Sequence, residues 1–244
     1  AEQSGKPAAI NFVMRASPFL RSLRAWYRLG WLGAPERWHF ENWAGGDIPL
    51  DHWFWDLQLS GGILVEHGVH FFDEAAWVLD AMPRRASGYA WPHPRLAGAQ
   101  DRALAVVEYE IKHNGTAHCV PATFYHAFVR PSHCEHQVRK LAFEAGWVQL
   151  TGWIPERLTA ELHLPSAALD SIRQDPLFRV ISVSDGKWRI EAVLHDRTET
   201  YREMIREGFK QLLLGNPLAS LDDGEAALSL AVQCSKTHSP WRRM

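Results

Sequence analysis

The chain is poor in cysteine, has no long apolar run and carries no excess of one charge. Its three cysteines, Cys119, Cys134 and Cys234, are too few and too separated for a disulfide framework, so a reducing, cytoplasmic setting is expected. No stretch approaches the ~20 apolar residues that span a bilayer, and no charged-then-apolar leader is present, so no membrane partner is expected. Lys and Arg number 26 against 28 Asp and Glu, a net charge of −2. With the basic residues scattered, there is no electrostatic footprint for nucleic acid. His118-Cys119 and His133-Cys134, with His136, match neither of the usual zinc-ligand spacings, and no metal site is expected. Nor does Gly-x-Gly-x-x-Gly occur anywhere, and no strand–turn–helix opens the sequence. By itself the chain is therefore expected to bind no dinucleotide cofactor.

At 244 residues, with 46% hydrophobic and 22% charged residues, the chain is long enough for one large globular domain, and residues 1–244 read as a single unit. Tryptophan is the outlier, at 12 residues. Trp38, Trp43, Trp53 and Trp55 gather in segment 36–55 with His39, Asp51, His52 and Asp56. Aromatic faces beside carboxylates and imidazoles suit a polyol, whose CH faces stack while its hydroxyls hydrogen-bond. The plainer role for any one of these tryptophans is to fill core or a subunit contact.

The local patterns predict a strand at 8–15, a helix at 17–30 and a strand at 36–43. An irregular loop around Gly45-Gly46 and Pro49 follows, then a helix to Asp80 that ends at Met82-Pro83. From 84 onward the pattern is strand-rich. Runs 102–111 and 116–128 flank Lys112-His113-Asn114-Gly115, and Asn-Gly is the strongest hairpin signal in the chain. Runs 137–145 and 147–151 make a second hairpin around Gly146, and 178–183 and 187–194 a third around Ser184-Asp185-Gly186. Segment 152–176 gives mixed signals and no assignment. A helix at 198–214 places Tyr201, Ile205 and Leu212 on one face and closes at Gly215 and Pro217; a last helix starts at Asp222, with Glu225 as capping-box partner.

The expected fold is α+β: an open, mainly antiparallel β-sheet with helices packed on one face. In 116–128 the set His118, Val120, Ala122, Phe124, His126 and Phe128 alternates with Cys119, Pro121, Thr123, Tyr125 and Ala127. One of these sets is expected to face water and to pair two copies as a homo-oligomer, unless a loop such as 152–176 folds over it.

Residues 60–80 carry the chemistry. After Gly61 and Gly62, Val65, Val69, Phe72, Ala76 and Leu79 fall on one stripe of a helix. Glu66, His70, Asp73 and Trp77 form a second stripe about a quarter turn away. A carboxylate, an imidazole and a carboxylate along the edge of an apolar face can hold and orient a proton-transfer group. The plainer account is a helix whose boundary is simply polar. A zinc hydrolase built on Glu66, His67 and His70 lacks a third ligand at a recognisable spacing.

The string Gly61-Gly62-Ile63-Leu64-Val65-Glu66-His67-Gly68-Val69-His70-Phe71-Phe72-Asp73 resembles the signature of the glucose-fructose oxidoreductase / inositol dehydrogenase (Gfo/Idh/MocA) family. It has the paired glycines, an acid, a His four residues later and an Asp three after that. Arg15-x-x-Pro18, Gly30-Trp31-Leu32-Gly33 and the closing segments 201–214 and 220–235 resemble the family as well, while 85–195 does so only diffusely. In that family the motif lies in the C-terminal domain and faces the nicotinamide and a sugar or polyol. The resemblance implies that Glu66 holds the acidic position (more usually Asp), His70 that of the catalytic histidine and Asp73 that of the substrate-side aspartate. It also implies a preceding Rossmann domain and a Glu-Lys-Pro lysine. Neither is found here, since Gly5-Lys6-Pro7 leads directly into the predicted strand. The chain thus reads as the C-terminal part of a two-domain enzyme whose N-terminal dinucleotide-binding domain is missing. NAD or NADP would belong to the complete enzyme, and a separately encoded Rossmann domain is one partner this implies.

Oxidation at a carbinol carbon needs the hydroxyl proton removed, and a neutral imidazole does this near pH 7. His70 is the expected base, or a relay, with Glu66 orienting it or binding an adjacent hydroxyl. Asp73, Arg15, His52 and Trp53 are expected to hold the substrate. The expected function is the substrate-binding and oligomerisation domain of an NAD(P)-dependent oxidoreductase acting on a sugar or cyclic polyol. The alternative is a non-catalytic sugar-binding or dimerisation module derived from the same family.

Overall fold

A computed structural model of the chain describes residues 6–113, 115–184 and 186–236. One sheet holds β1 (Pro35–Gly45), β2 (Met82–Pro92), β3 (Gln100–His113), β4 (Thr116–Arg130), β5 (His136–Phe143), β6 (Gly146–Thr151), β7 (Arg157–His163), β8 (Arg179–Ser184) and β9 (Lys187–Val193). Their order is β2-β3-β4-β1-β5-β6-β7-β9-β8. Neighbours are antiparallel except for β1 and β4. The predicted hairpins are present: β3 pairs with β4 out to His113 and Thr116, β5 with β6 around Gly146, and β8 with β9. Asn114 and Asp185 of the predicted turns, and Gly5, lie outside the described residues.

Period-two alternation decides which face is core. On β4, Val120, Ala122, Phe124 and His126 have no exposed surface, whereas Cys119 is exposed and Thr123 and Tyr125 are half-buried. The Phe124 set is therefore the core face and the Tyr125 set the open one. Helices α1 (Pro18–Arg28), α2 (Leu57–Ser60), α3 (Val69–Leu79), α4 (Ser166–Gln174), α5 (Arg197–Leu213) and α6 (Leu221–Lys236) complete the fold. Phe19 and Trp26 of α1 meet Phe178, and Phe72 of α3 meets Phe124 edge-on. Gly88 on β2 admits the backbone of Cys234 on α6, where a Cβ would come within 2.5 Å of its carbonyl oxygen. Arg173 of α4 lies over Trp188, the register partner of buried Leu162. Segment 152–176 thus supplies β7 to the sheet and α4 to its core side, and does not cover the open face. That face carries Trp43, Tyr89, Trp91 and Tyr125, with Trp43 4.8 Å from Tyr125 and Tyr89 4.6 Å from Trp91. Arg130 and Arg102 lie over Trp43 and Trp91.

Two expectations are corrected. The strand predicted at 8–15 is absent: 6–12 is irregular and Val13–Ala16 is a 3-10 turn. Its apolar residues are buried against helices instead of a neighbouring strand. Phe12 packs with Ala219 and Ala227, and the Ile10 N–H donates to the Ala219 carbonyl at 3.2 Å. The capping box of α6 is Ser220 with Asp223, not Asp222 with Glu225. Ser220 Oγ accepts from the Asp223 N–H at 3.1 Å, and Asp223 Oδ2 accepts from the Ser220 N–H at 2.7 Å. Among the described residues, no helix is long and apolar enough to cross a membrane.

Candidate active site on the motif helix

Two glycines and a π-turn set the geometry. Asp56 caps α2 by accepting from the Gln58 N–H, and Gly61 ends that helix at φ +72°, followed by Gly62 at +87°. A Cβ on Gly61 would come within 2.6 Å of Val65 Cγ1, so both backbone conformation and space call for glycine there. Leu64–Gly68 then forms a π-turn running directly into α3. One extra residue in a turn shifts the helical phase by about 100°. The buried stripe is displaced to match: Phe71, Phe72, Ala75, Val78 and Leu79 are buried, while Val65, Val69 and Ala76 are only half-buried.

Glu66 and His70 are both half-buried, one turn apart. Phe12 meets the His70 ring edge-on at 5.7 Å. Burial lowers the pKa of His70, which holds the imidazole neutral at pH 7. Burial pushes the Glu66 carboxyl up, with His52 countering part of the rise, so the structure brings His52 into electrostatic reach of the motif. His52 caps the 3-10 turn Trp53–Trp55, accepting from the Phe54 N–H at 3.2 Å, and its ring is 5.4 Å from that of Trp53. Together with Asp51 and Asp56 these two line an open cavity of about 700 Å³. Of the four clustered tryptophans, Trp38 and Trp55 are core and Trp43 sits on the open sheet face; Trp53 alone is exposed.

Arg15 and Asp73 are brought together with one another. Arg15 Nε donates to Asp73 Oδ2 at 3.0 Å and Nη2 to Oδ1 at 2.5 Å, while Nη1 reaches the Leu218 carbonyl and Asp223. Burial pushes Asp73 up to about 6, against the pull of Arg15. The next residue, Glu74, makes the matching pair on the sheet side. Arg139 Nε donates to its Oε1 at 2.5 Å and Nη2 to its Oε2 at 2.9 Å, and both side chains are essentially without exposed surface. Adjacent carboxylates thus tie α3 to two elements, Asp73 to the turn before α1 and Glu74 to β5. Neither Glu74 nor Arg139 was expected at the site. Their signal was present: Glu74 falls among the buried residues Phe71, Ala75 and Val78, where a charge calls for a partner.

Residues 20–137 match the family model described as the GFO/IDH/MocA C-terminal domain. No curated protein sequence matches the chain. Among solved structures, an oxidoreductase from Sinorhizobium meliloti is 14% identical with a TM-score of 0.67, the match covering 97% of this chain and 64% of that one. A UDP-N-acetylglucosamine 3-dehydrogenase from Acidithiobacillus ferrooxidans is 16% identical with a TM-score of 0.64, covering 96% and 62%. A myo-inositol 2-dehydrogenase from Lactobacillus plantarum is 20% identical with a TM-score of 0.61, covering 93% and 61%. The chain therefore spans less than two thirds of the length of each, and at these identities the likeness is one of fold. The matched residues 20–137 include the whole motif helix.

Proposed function

We propose that this chain is the substrate-binding and oligomerisation part of an NAD(P)-dependent oxidoreductase, acting in the cytoplasm on a sugar or cyclic polyol. The observation that carries the reading is Glu66 and His70 one turn apart at a half-buried edge, the imidazole held neutral by burial. In that state His70 can take the proton of a carbinol hydroxyl as the alcohol is oxidised. Glu66 orients the ring or accepts from a neighbouring hydroxyl. Trp53 offers an aromatic face to the CH side of a ring, and His52 a hydrogen bond. Asp73 and Arg15 saturate one another and hold the helix; they reach a substrate only where that pair opens. This chain's residues do not fit dinucleotide phosphates, having no Gly-x-Gly-x-x-Gly turn and, among the described residues, only one parallel strand pair. A Rossmann domain, joined or separately encoded, carries NAD or NADP in this reading.

Imidazole and indole NMR signals of the chain, titrated with myo-inositol and with hexoses, are expected to shift at His70, His52 and Trp53. In the complete enzyme, His70→Ala is expected to lower turnover by about 10²–10⁴-fold. Near-normal turnover in that variant would remove the histidine from the mechanism.

The aromatic open face supports a sheet-to-sheet homodimer. Tyr125→Glu is expected to convert a dimeric mass to a monomeric one in light scattering at micromolar concentration. A monomeric wild-type chain would sink the dimer. The same face favours the second reading, a non-catalytic module that only dimerises or binds sugar. Turnover restored by any supplied Rossmann domain would exclude that module.

A further inference from the structure

The loop that leads into the motif helix carries a cavity whose charge is one-sided. Its volume of about 700 Å³ is within the range that takes a small ligand, and it lies between segments 50–59 and 96–99. Trp53, 48% exposed, lines it. So does His52, whose Nδ1 accepts from the Phe54 N–H; this puts the ring proton on Nε2 and leaves that nitrogen as a donor. The carboxylates of the wall are Asp51 and Asp56, both exposed. Asp56 uses one oxygen to accept from the Gln58 N–H at 2.8 Å, while Asp51 makes no hydrogen bond or ion pair with any described residue. Among the described residues of the wall there is no Lys or Arg; Arg95 precedes Leu96 of the wall without joining it. Glu66 of the motif, within electrostatic reach of His52, is a carboxyl as well.

We propose that this cavity selects its ligand by charge: it takes a sugar or cyclitol that is uncharged or bears an amine, and rejects one that bears a phosphate or carboxylate. Hydroxyl and ammonium groups donate, and Asp51 and the second oxygen of Asp56 are acceptors without a protein donor. The His52 Nε2–H supplies the complementary donor for a hydroxyl oxygen, and the Trp53 ring an apolar face for the CH side. A phosphate or carboxylate brings only acceptors to a wall with no Lys or Arg among its described residues. One unit charge about 4 Å from a carboxylate in water changes affinity by about fivefold. Salt screens part of this, and the expected separation between amine-bearing and anionic ligands is about tenfold or more. The inference rests on the reading of this chain as a sugar- or polyol-binding domain and narrows the class of its substrate.

The test titrates the full chain with three hexoses that share a ring and differ in charge: glucosamine, glucose and glucuronate. The indole signal of Trp53 and the imidazole signals of His52 and His70 are followed by NMR. Affinity read at Trp53 and His52 is expected to fall in that order, with the two ends about tenfold or more apart at about 0.1 M salt. Salt at about 1 M should draw the ends together. Asp51→Asn, at an exposed position, should narrow the gap by about threefold or more. Glucuronate binding as tightly as glucosamine would overturn the proposal, as would a gap that neither salt nor Asp51→Asn moves. Silence at Trp53 and His52 toward all three sugars would overturn it too. The functional reading is judged separately. A response at His70 with Trp53 and His52 silent keeps that reading and removes the cavity. The charge-ordered response at Trp53, combined with near-normal turnover in His70→Ala, does the reverse.

Discussion

Arg139→Met is expected to lower stability by about 3–5 kcal/mol, the usual effect of stranding one member of a buried ion pair. Arg139 donates to both carboxylate oxygens of Glu74, to the Gly152 carbonyl at 2.8 Å and to the Trp153 carbonyl at 3.2 Å. Its guanidinium also lies 5.1 Å from the Phe40 ring centroid and 5.3 Å from that of Phe71. Methionine replaces the packing and none of the donors, leaving the Glu74 carboxylate buried without a counter-charge. For a domain of this size the loss corresponds to a fall in Tm of about 10–15 °C. Adding Glu74→Leu to Arg139→Met should recover most of it, because the penalty lies in the unpaired charge. A single variant that melts with the wild type would show that the pair contributes little.

Mild acid is expected to destabilise the fold through His67 and His126. Both have folded pKa values below the unfolded value near 6.5, His67 at about 3 and His126 well below its ordinary range. Below pH 6.5 the unfolded chain therefore binds more protons than the folded one, so stability is complete above pH 6.5 and falls as pH drops. His67 contributes about 1.4 kcal/mol per pH unit, or about 2 kcal/mol between pH 6.5 and 5, and His126 adds to it in the same direction. Asp73 acts in the opposite sense. Its folded value of about 6 lies above the unfolded one, so protonating it returns about 1.4 kcal/mol by pH 5. The expected net effect is a loss of stability as pH falls from 7 to 5, with His70, also lowered by burial, adding to it. Urea midpoints at pH 7 and pH 5 measure this directly. His126→Phe should flatten the dependence, and an equal drop with and without the histidine would assign the acid sensitivity elsewhere.

Much of the architecture was legible in local patterns. Three hairpins, the motif helix and the closing helices follow from alternation, turn residues and 3.6-residue spacing, each a short-range signal. Segment 8–15 misled because it is apolar with strand-like spacing, yet its burial comes from Phe12 and Ile10 against Ala219 and Ala227, contacts made across the whole chain. The motif stripe was placed one position out because no residue type announces a π-turn. Glu66, His70 and His52 could be picked from residue type and spacing. That Asp73 and Arg15 would saturate each other could not, since nothing in either neighbourhood points to a partner 58 positions away.

The parallel pairing of β1 with β4 has a consequence for how the site is assembled. Strands β2, β3 and β4 form a meander, and β5 to β9 a second group in the order β5-β6-β7-β9-β8, each built from partners close along the chain. β1 is made before either and is the strand through which they join, pairing with β4 on one side and β5 on the other. Loop closure of that kind is the slow, entropically costly part of folding a sheet. Asn42 on β1, His126 on β4 and Arg139 on β5 are polar strand residues that contact the motif helix or the turn before it, one from the joining strand and one from each half of the sheet. The floor of the site thus coincides with the seam between two locally organised halves, and it cannot be complete until that seam has closed.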